Sequence, residues 1–297
     1  MEAKENIAVE RRAIESFKKT AQIFQKLMNN NRKPGRQLMI DDTGQVNKSG
    51  TDDRAAKALT KVASRIVTTC PLNRKLKFMY SNAQSMLSKF DEMQIQVCDL
   101  SPDVIFLTET WLSYYVDDRE FTIPGYQLFR RDREGHQGGG IVTYVKHGLL
   151  VSEKTEQFAC SFEAIWLTIK VPRSHSLEVL TVYRPPRSDF EADAYLLEEL
   201  ERFASRSDVL IMGDFNAPLI DWSSVHARSP ELVFDRRLLD MTLRSFLTQH
   251  VLFPTRVREG QQSNCLDLVF TKSLDSIDEV QSLPPLGRSD HVVLHWD

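Results

Sequence analysis

Carboxylates, amides and one histidine recur in this chain where apolar runs break off. Val209-Leu210-Ile211-Met212 runs into Gly213-Asp214-Phe215-Asn216, Leu76 to Tyr80 ends at Asn82, and Val104 to Leu107 ends at Glu109. Leu177 to Val182 ends at Tyr183, and Asp290-His291 opens the stretch Val292-Val293-Leu294. Carboxylates that converge from such positions repel and raise one another's pKa, and a divalent cation relieves the repulsion. Oxygen-only ligands suit Mg²⁺ or Mn²⁺ better than zinc. Singly, Glu109, Asp214 or Asp290 would cap a turn as readily as bind an ion; taken together, they point to one site. His291 is the one histidine of seven set beside a carboxylate at a strand end. It could hold a phosphoryl oxygen or act as acid or base, with a purely structural histidine as the alternative. Asp267 lies inside the apolar run Leu266-Asp267-Leu268-Val269-Phe270. A buried carboxylate is costly unless paired, and an imidazolium would serve.

The elements that must position these groups follow from the hydrophobic pattern. Strand-like runs cover 76–81, 103–108, 126–130, 140–145, 163–171, 177–183, 208–213, 266–271 and 291–295, and helical patterns fit Gln84 to Val97, Phe190 to Ala204 and Leu232 to Phe246. Strands mixed with helices indicate a layered α/β domain. The strands from 126 to 183 follow one another without a helix, which demands antiparallel pairing and excludes a purely parallel sheet. A mixed, two-sheet sandwich is expected, and strand ends in such folds are where ligand sites form.

Ahead of this domain, residues 5 to 29 read as a helix that stops at Asn29 to Gly35, Asp41 to Gly44 as a turn, and Asp52 to Ile66 as a weaker helix. Charge divides at the same point. Residues 1–75 hold 16 Lys/Arg against 8 Asp/Glu, a net of +8, and the remainder holds 22 against 33, a net of −11. A basic lead segment suits a polyanion or is simply solvated. Four scattered cysteines without a CxxC pair argue against structural zinc and a disulfide framework. With no run near the ~18 apolar residues of a membrane span, a soluble intracellular protein without a membrane role is expected. The expected domains are an arm at 1–74 and a catalytic domain at 75–297.

The series Ser81-Asn82-Ala83, Thr108-Glu109-Thr110, Val182 to Pro186, Gly213 to Asn216, Leu266-Asp267-Leu268 and Ser289-Asp290-His291 resembles the endonuclease/exonuclease/phosphatase superfamily in order and spacing. Thr108 to Leu112, Gly138 to Ile141 and Pro254-Thr255-Arg256 resemble the apurinic-type endonuclease domain of LINE-type (non-LTR) retrotransposons. This resemblance implies a four-layer α/β sandwich, two mixed β-sheets flanked by helices, here preceded by a helical arm. It implies Mg²⁺ (with Mn²⁺ as substitute) on Glu109 and Asn82, with Asp290 near the metal or fixing the histidine loop. Asp214 would align or deprotonate the attacking water, Asn216 would orient it or the phosphate, and Asp267 would orient His291. Tyr183 would contact the phosphate or ease departure of the leaving oxygen. Repair endonucleases carry an acid two positions after the asparagine, where this chain has Gln84, which argues against a second metal ligand there.

The implied activity is nicking of one strand of target DNA, in the nucleus, to leave a 3′-hydroxyl. Element RNA or a reverse transcriptase would be further partners. A phosphatase or sphingomyelinase of the same fold, a repair apurinic endonuclease and a catalytically silent remnant are the alternatives. Arg32 to Pro34, Asp41 to Gly44 and Asp52 to Leu59 resemble the connector that precedes the reverse transcriptase in such elements. Its place upstream of the nuclease would fit a rearranged fragment or a fused gene.

Overall fold

The computed structural model describes residues 75–135, 138–170 and 175–297, so the helices and turn expected in the arm lie outside the described residues. Strand β1 (Phe78–Asn82) is followed by helix α1 (Phe90–Leu100), β2 (Val104–Thr108), β3 (Tyr126–Arg131), β4 (Ile141–Lys146) and β5 (Leu150–Glu153). Then come β6 (Glu163–Lys170), β7 (Ser176–Tyr183), α2 (Phe190–Ala204), β8 (Val209–Asp214), and the short pair β9 (Ile220–Asp221) and β10 (His226–Ala227). Helix α3 (Phe234–Arg244), β11 (Thr248–Gln249), β12 (Asp267–Thr271), β13 (Gln281–Leu283) and β14 (Val293–Trp296) complete the order.

Two six-stranded mixed sheets result, ordered β13-β14-β1-β2-β4-β3 and β11-β12-β8-β7-β6-β5. The successive strands from β3 to β7 do pair antiparallel, but they divide between the sheets: β3 with β4 in one, β5, β6 and β7 in the other. Between the sheets Phe78, Tyr80 and Phe106 pack against Leu167, Val179, Leu210, Met212 and Val269. The outer face of the first sheet is covered by Met93 and Val97 of α1, and that of the second by α2 and α3. The described domain thus has four layers, with apolar stripes of the helices closing both outer faces.

Period-two alternation decides what enters the gap between the sheets. On β1, Phe78 and Tyr80 face inward, so Asn82 faces inward as well. On β8, Leu210 and Met212 bring Asp214 with them, and on β12 Val269 brings Asp267. A slip of one residue in any of these strands would turn its polar group out of the gap. Pairing then aligns the ends. Asn82 lies opposite Thr108, Tyr183 opposite Asp214, and Asp214 opposite Asp267.

Four points of the expected pattern are corrected. The helix expected from Gln84 begins at Phe90. Gln84 and Ser85 sit at φ 43° and 79°, and the N–H groups of Ala83, Ser85 and Met86 donate to the carbonyls of Thr108, Glu109 and Thr110. The last strand begins at Val293 rather than His291, because His291 instead forms a bridge with Arg256. Strand β5 goes unread in the sequence because its exposed, four-residue edge carries no alternation. The expected helix over Leu232 to Phe246 is shorter by two residues at each end.

Glycine at 213 is a steric requirement. Its φ is 153°, and a Cβ there would lie 1.8 Å from the Val182 carbonyl oxygen on β7. Gly213→Ala should therefore force β7 and β8 apart and destabilise the domain by about 1–3 kcal/mol or more, as overpacking does. Urea unfolding would show this as a lowered midpoint, and an unchanged midpoint would contradict the close approach of the two strands.

Candidate active site

Two buried polar pairs cross or close the gap at the aligned strand ends. Asn82 on β1 donates from Nδ2 to Asp214 Oδ2 at 2.8 Å, tying the first sheet to the second. The other Asp214 oxygen accepts from the Asn216 N–H at 3.0 Å. One strand over, Asp267 Oδ2 lies 2.6 Å from His291 Nδ1. Its second oxygen accepts from the Tyr80 hydroxyl at 2.8 Å, again across the gap, and Tyr80 also meets Thr108 Oγ1 at 2.8 Å. All of these groups except Asn216 are almost fully buried.

Electrostatics follow from this crowding. Burial, then the neighbouring Asp267 and Glu109, push the Asp214 carboxyl up to about 8, against the opposing pull of His291. Burial works to lower the His291 pKa, but the charge and hydrogen bond of Asp267, with help from Asp214 and Asp290, raise it to about 9. His291 is thus held as an imidazolium at neutral pH. The Tyr183 hydroxyl, buried and donating to Glu109 Oε1 at 2.6 Å, is pushed well above the usual phenol range.

At the mouth, Glu109 accepts from Tyr183 and, on Oε2, from Trp111 Nε1 at 3.2 Å. The Gly138-Gly139-Gly140 segment forms the floor of this loop. Thr110 and Trp111 donate to the carbonyls of Gly140 and Gly139, and a Cβ on Gly140 would lie 2.6 Å from Thr110 Oγ1. Asn216 lies beside the pair, its Nδ2 donating to the Arg184 carbonyl at 2.8 Å. Arg184 is fixed in turn by the buried Asp193 at 2.7 Å.

Asp290 stands apart from the other carboxylates. Gln84 Nε2 donates to its Oδ1 at 2.6 Å, Arg256 Nε donates to its Oδ2 at 3.0 Å, and its own N–H donates back to Gln84 Oε1 at 3.1 Å. Its Oδ1 is 3.6 Å from His291 Nε2. Ser289 ties the same loop to β1, donating to the Asn82 carbonyl at 2.8 Å. The structure thus gathers Asn82, Asp214, Asn216, Asp267 and His291 within direct or one-residue reach, sets Glu109 and Tyr183 beside them, and engages Asp290 from the side.

Four supporting side chains were given no contact by the sequence, although Gln84, Thr255 and Arg256 stand in or beside its motifs. Tyr80 was legible only through its shared parity with Asn82. Thr255 accepts from the N–H groups of Leu266 and Asp267, both at 3.0 Å, and so fixes the start of β12. Gln84 and Arg256 hold Asp290, a pairing across 206 and 34 residues that no local pattern announces.

The donor set suits a hard cation. Asp214, Asp267 and Glu109 outnumber the one imidazolium; Glu109 is half-buried, while Asn82 is fully buried and its Oδ1 accepts from the Gln84 N–H at 3.2 Å. Asp214, Asp267 and His291 also present atoms within 4.8 Å of one another, but these atoms already satisfy each other or Asn82 and Asn216. Among the described residues no helix is long and apolar enough to cross a membrane.

Known proteins give the fold its context. The endonuclease domain of TRAS1, a telomere-specific non-LTR retrotransposon, superposes with a TM-score of 0.59 at 18% identity, over 75% of this chain and 98% of that one. An AP endonuclease from Archaeoglobus fulgidus gives 0.57 at 16%, over 75% and 99%. The 3′ phosphatase NExo from Neisseria, in a structure bound to product DNA hairpin, gives 0.56 at 15%, over 75% and 99%. No curated protein sequence matches the chain. The model of the Endonuclease/Exonuclease/phosphatase family matches residues 79–291, from the first buried strand to the buried histidine, and the chain belongs to that family.

Proposed function

We propose that this chain is an Mg²⁺-dependent DNA endonuclease of the retroelement type, hydrolysing one strand to leave a 3′-hydroxyl. The carrying observation is the pair of buried couples, Asp214 with Asn82 and Asp267 with His291, side by side behind Glu109 and Tyr183. Family membership supports hydrolysis of phosphate esters. The likeness to a retrotransposon endonuclease domain and to an enzyme bound to product DNA favours DNA as the substrate. On this reading the further partners are element RNA and a reverse transcriptase, and the place of action is the nucleus.

In the proposed reaction water attacks phosphorus, the P–O3′ bond breaks, and the phosphate remains on O5′ of the downstream strand. In its ionised form Asp214, whose proton affinity burial raises, takes the proton of the water while Asn82 and the Asn216 N–H fix its two oxygens. Asn216 orients the water or the phosphate. His291, kept cationic and aimed by Asp267, offers Nε2–H to a phosphoryl oxygen as charge builds there. Tyr183 contacts the phosphate or eases departure of the 3′ oxygen, which takes a proton from solvent as it leaves. Asp290, with both oxygens engaged by Gln84 and Arg256, fixes the histidine loop. Bound Mg²⁺, held by Glu109 and Asn82, would supply positive charge to the phosphate and lower the pKa of its water.

The Neisseria 3′ phosphatase superposes almost as well as the retrotransposon domain, so removal of a 3′ phosphate is the second reading. End-labelled duplexes with internal or terminal 3′ phosphate targets separate the two.

Asp214→Asn and His291→Ala should each lower kcat for plasmid nicking by roughly 10²-fold or more with little change in KM, since each group acts as charge develops in the transition state. Near-parental activity in either variant would sink the assignment.

Glu109→Ala should lose activity at low Mg²⁺ and recover part of it as the metal is raised, because the carboxylate supplies affinity for a cation that otherwise keeps its waters. EDTA should stop nicking. Activity that survives chelation would require another mechanism.

Deletion of residues 1–70 should leave a folded, active domain, because every proposed site residue lies beyond that point. Loss of the basic arm should flatten the salt dependence of DNA binding by roughly one unit of log–log slope for each phosphate contact removed. A truncated chain that fails to unfold cooperatively, or an unchanged slope, would refute one part or the other.

A further inference from the structure

A second surface lies five residues beyond Glu109, on a rigid turn whose tip is aromatic and uncharged. The Val116 N–H donates to the Ser113 carbonyl at 2.9 Å, closing a turn with Tyr114 and Tyr115 at its two central positions. Both rings stand in solvent, 79% and 78% exposed, with centroids 3.8 Å apart. The residues flanking the turn point the other way. Leu112 is buried in the core beneath the first sheet, and Val116 packs against the same cluster.

Arg130 on β3 fastens the turn from below. Its Nη2 donates to the Ser113 carbonyl at 2.6 Å and its Nη1 to the Val116 carbonyl at 2.8 Å. Asp132 and Asp118 hold its guanidinium, and it lies over the Phe121 ring at 5.2 Å. Trp111, at the base of the same loop, is fixed by Glu109 and by the Gly139 carbonyl. The nearby charges are spent locally, Asp117 on Arg119 and Asp118 on Arg130. An exposed apolar pair on a preorganised frame is a contact surface in waiting, because little ordering entropy remains to be lost on binding.

We propose that Tyr114 and Tyr115 pack against nucleobases of the substrate DNA beside the scissile phosphate. This rests on the endonuclease reading. Five residues of extended chain span at most about 18 Å, so the contact falls within roughly five base-pair steps of the phosphate that Glu109 serves. DNA is favoured over a protein partner because the surface is continuous with the site: one loop carries Glu109, Trp111 and both tyrosines. The uncharged tip suits base stacking or a wedge at a base step rather than a phosphate contact. The pair therefore selects where the strand is cut and takes no part in the chemistry.

The test is binding of the full chain to a fluorescein-labelled duplex oligonucleotide in EDTA, read by anisotropy over a range of salt, together with mapping of nicks on a plasmid with Mg²⁺. The double variant Tyr114→Ala/Tyr115→Ala should bind about tenfold or more weakly, with the log–log salt slope unchanged, since stacking and not charge is lost. The nick positions should redistribute. The double variant Tyr114→Phe/Tyr115→Phe should bind like the parent, because the rings remain. Unchanged affinity in the alanine variant, as docking of a protein or a second copy on the rings would give, overturns the proposal, and so does a flattened salt slope. A parent chain that binds DNA and loses affinity on alanine substitution, but does not cut, upholds this surface and fails the endonuclease reading. A parent chain that binds no DNA overturns both.

Discussion

Asp214 and Asp267 occupy the same rung of the β8–β12 ladder, two buried carboxylates on adjacent strands. Their mutual repulsion, in a place where water cannot screen it, is the constraint that the surrounding structure answers. The answer comes from outside their own sheet. Asn82 and Tyr80 reach across the gap from β1 to one carboxylate each, and His291 supplies the single positive charge. The polar end of the gap therefore does for the two sheets what the apolar core does elsewhere, and it does so only in one register.

That coupling explains why supporting residues matter as much as the reacting ones. His291 follows a loop rather than sitting inside a strand, and its position is set by a chain of fixed neighbours. Ser289 hangs the loop on β1. The Val257 N–H donates to the Asp290 carbonyl, the Val292 N–H donates to the Thr255 carbonyl, and Gln84 with Arg256 grips Asp290. A carboxylate gripped by an arginine and an amide has little left to offer a cation. Gln84, two positions after Asn82, thus serves as a positioning contact for Asp290.

Much of this was legible before any coordinates. The apolar runs located nine strands, and the polar residues ending them marked the rim where the site lies. The cost of burying Asp267 alone called for a cationic partner, and His291 is that partner. The remainder depended on contacts between distant segments. Nothing local distinguishes Gln84 and Ser85 from a first helical turn; their left-handed conformation follows from hydrogen bonding to the continuation of β2. The grip on Asp290 and the Tyr80 hydrogen bond join residues 34 to 206 positions apart. The splitting of consecutive strands between two sheets is a choice that pairing rules alone leave open.

Five of the eight positive-φ residues other than glycine among the described residues lie at or beside the candidate site. Gln84, Ser85, Glu109, Trp111 and Asn216 all hold positive φ, each at a cost of about 1–3 kcal/mol for a residue with a side chain. Such conformations persist only when neighbours leave no alternative. Here those neighbours are strand continuations, the 83–86 segment against 108–110 and the three glycines beneath Thr110 and Trp111. The strain bends each chain sharply as it leaves its strand, so that Glu109 stays at the mouth while the next residues travel outward to Tyr114 and Tyr115. The polar groups on the strand ends and the exposed rings on the loop beyond them are then joined by a few residues. The loops can change in sequence without disturbing the buried pairs behind them.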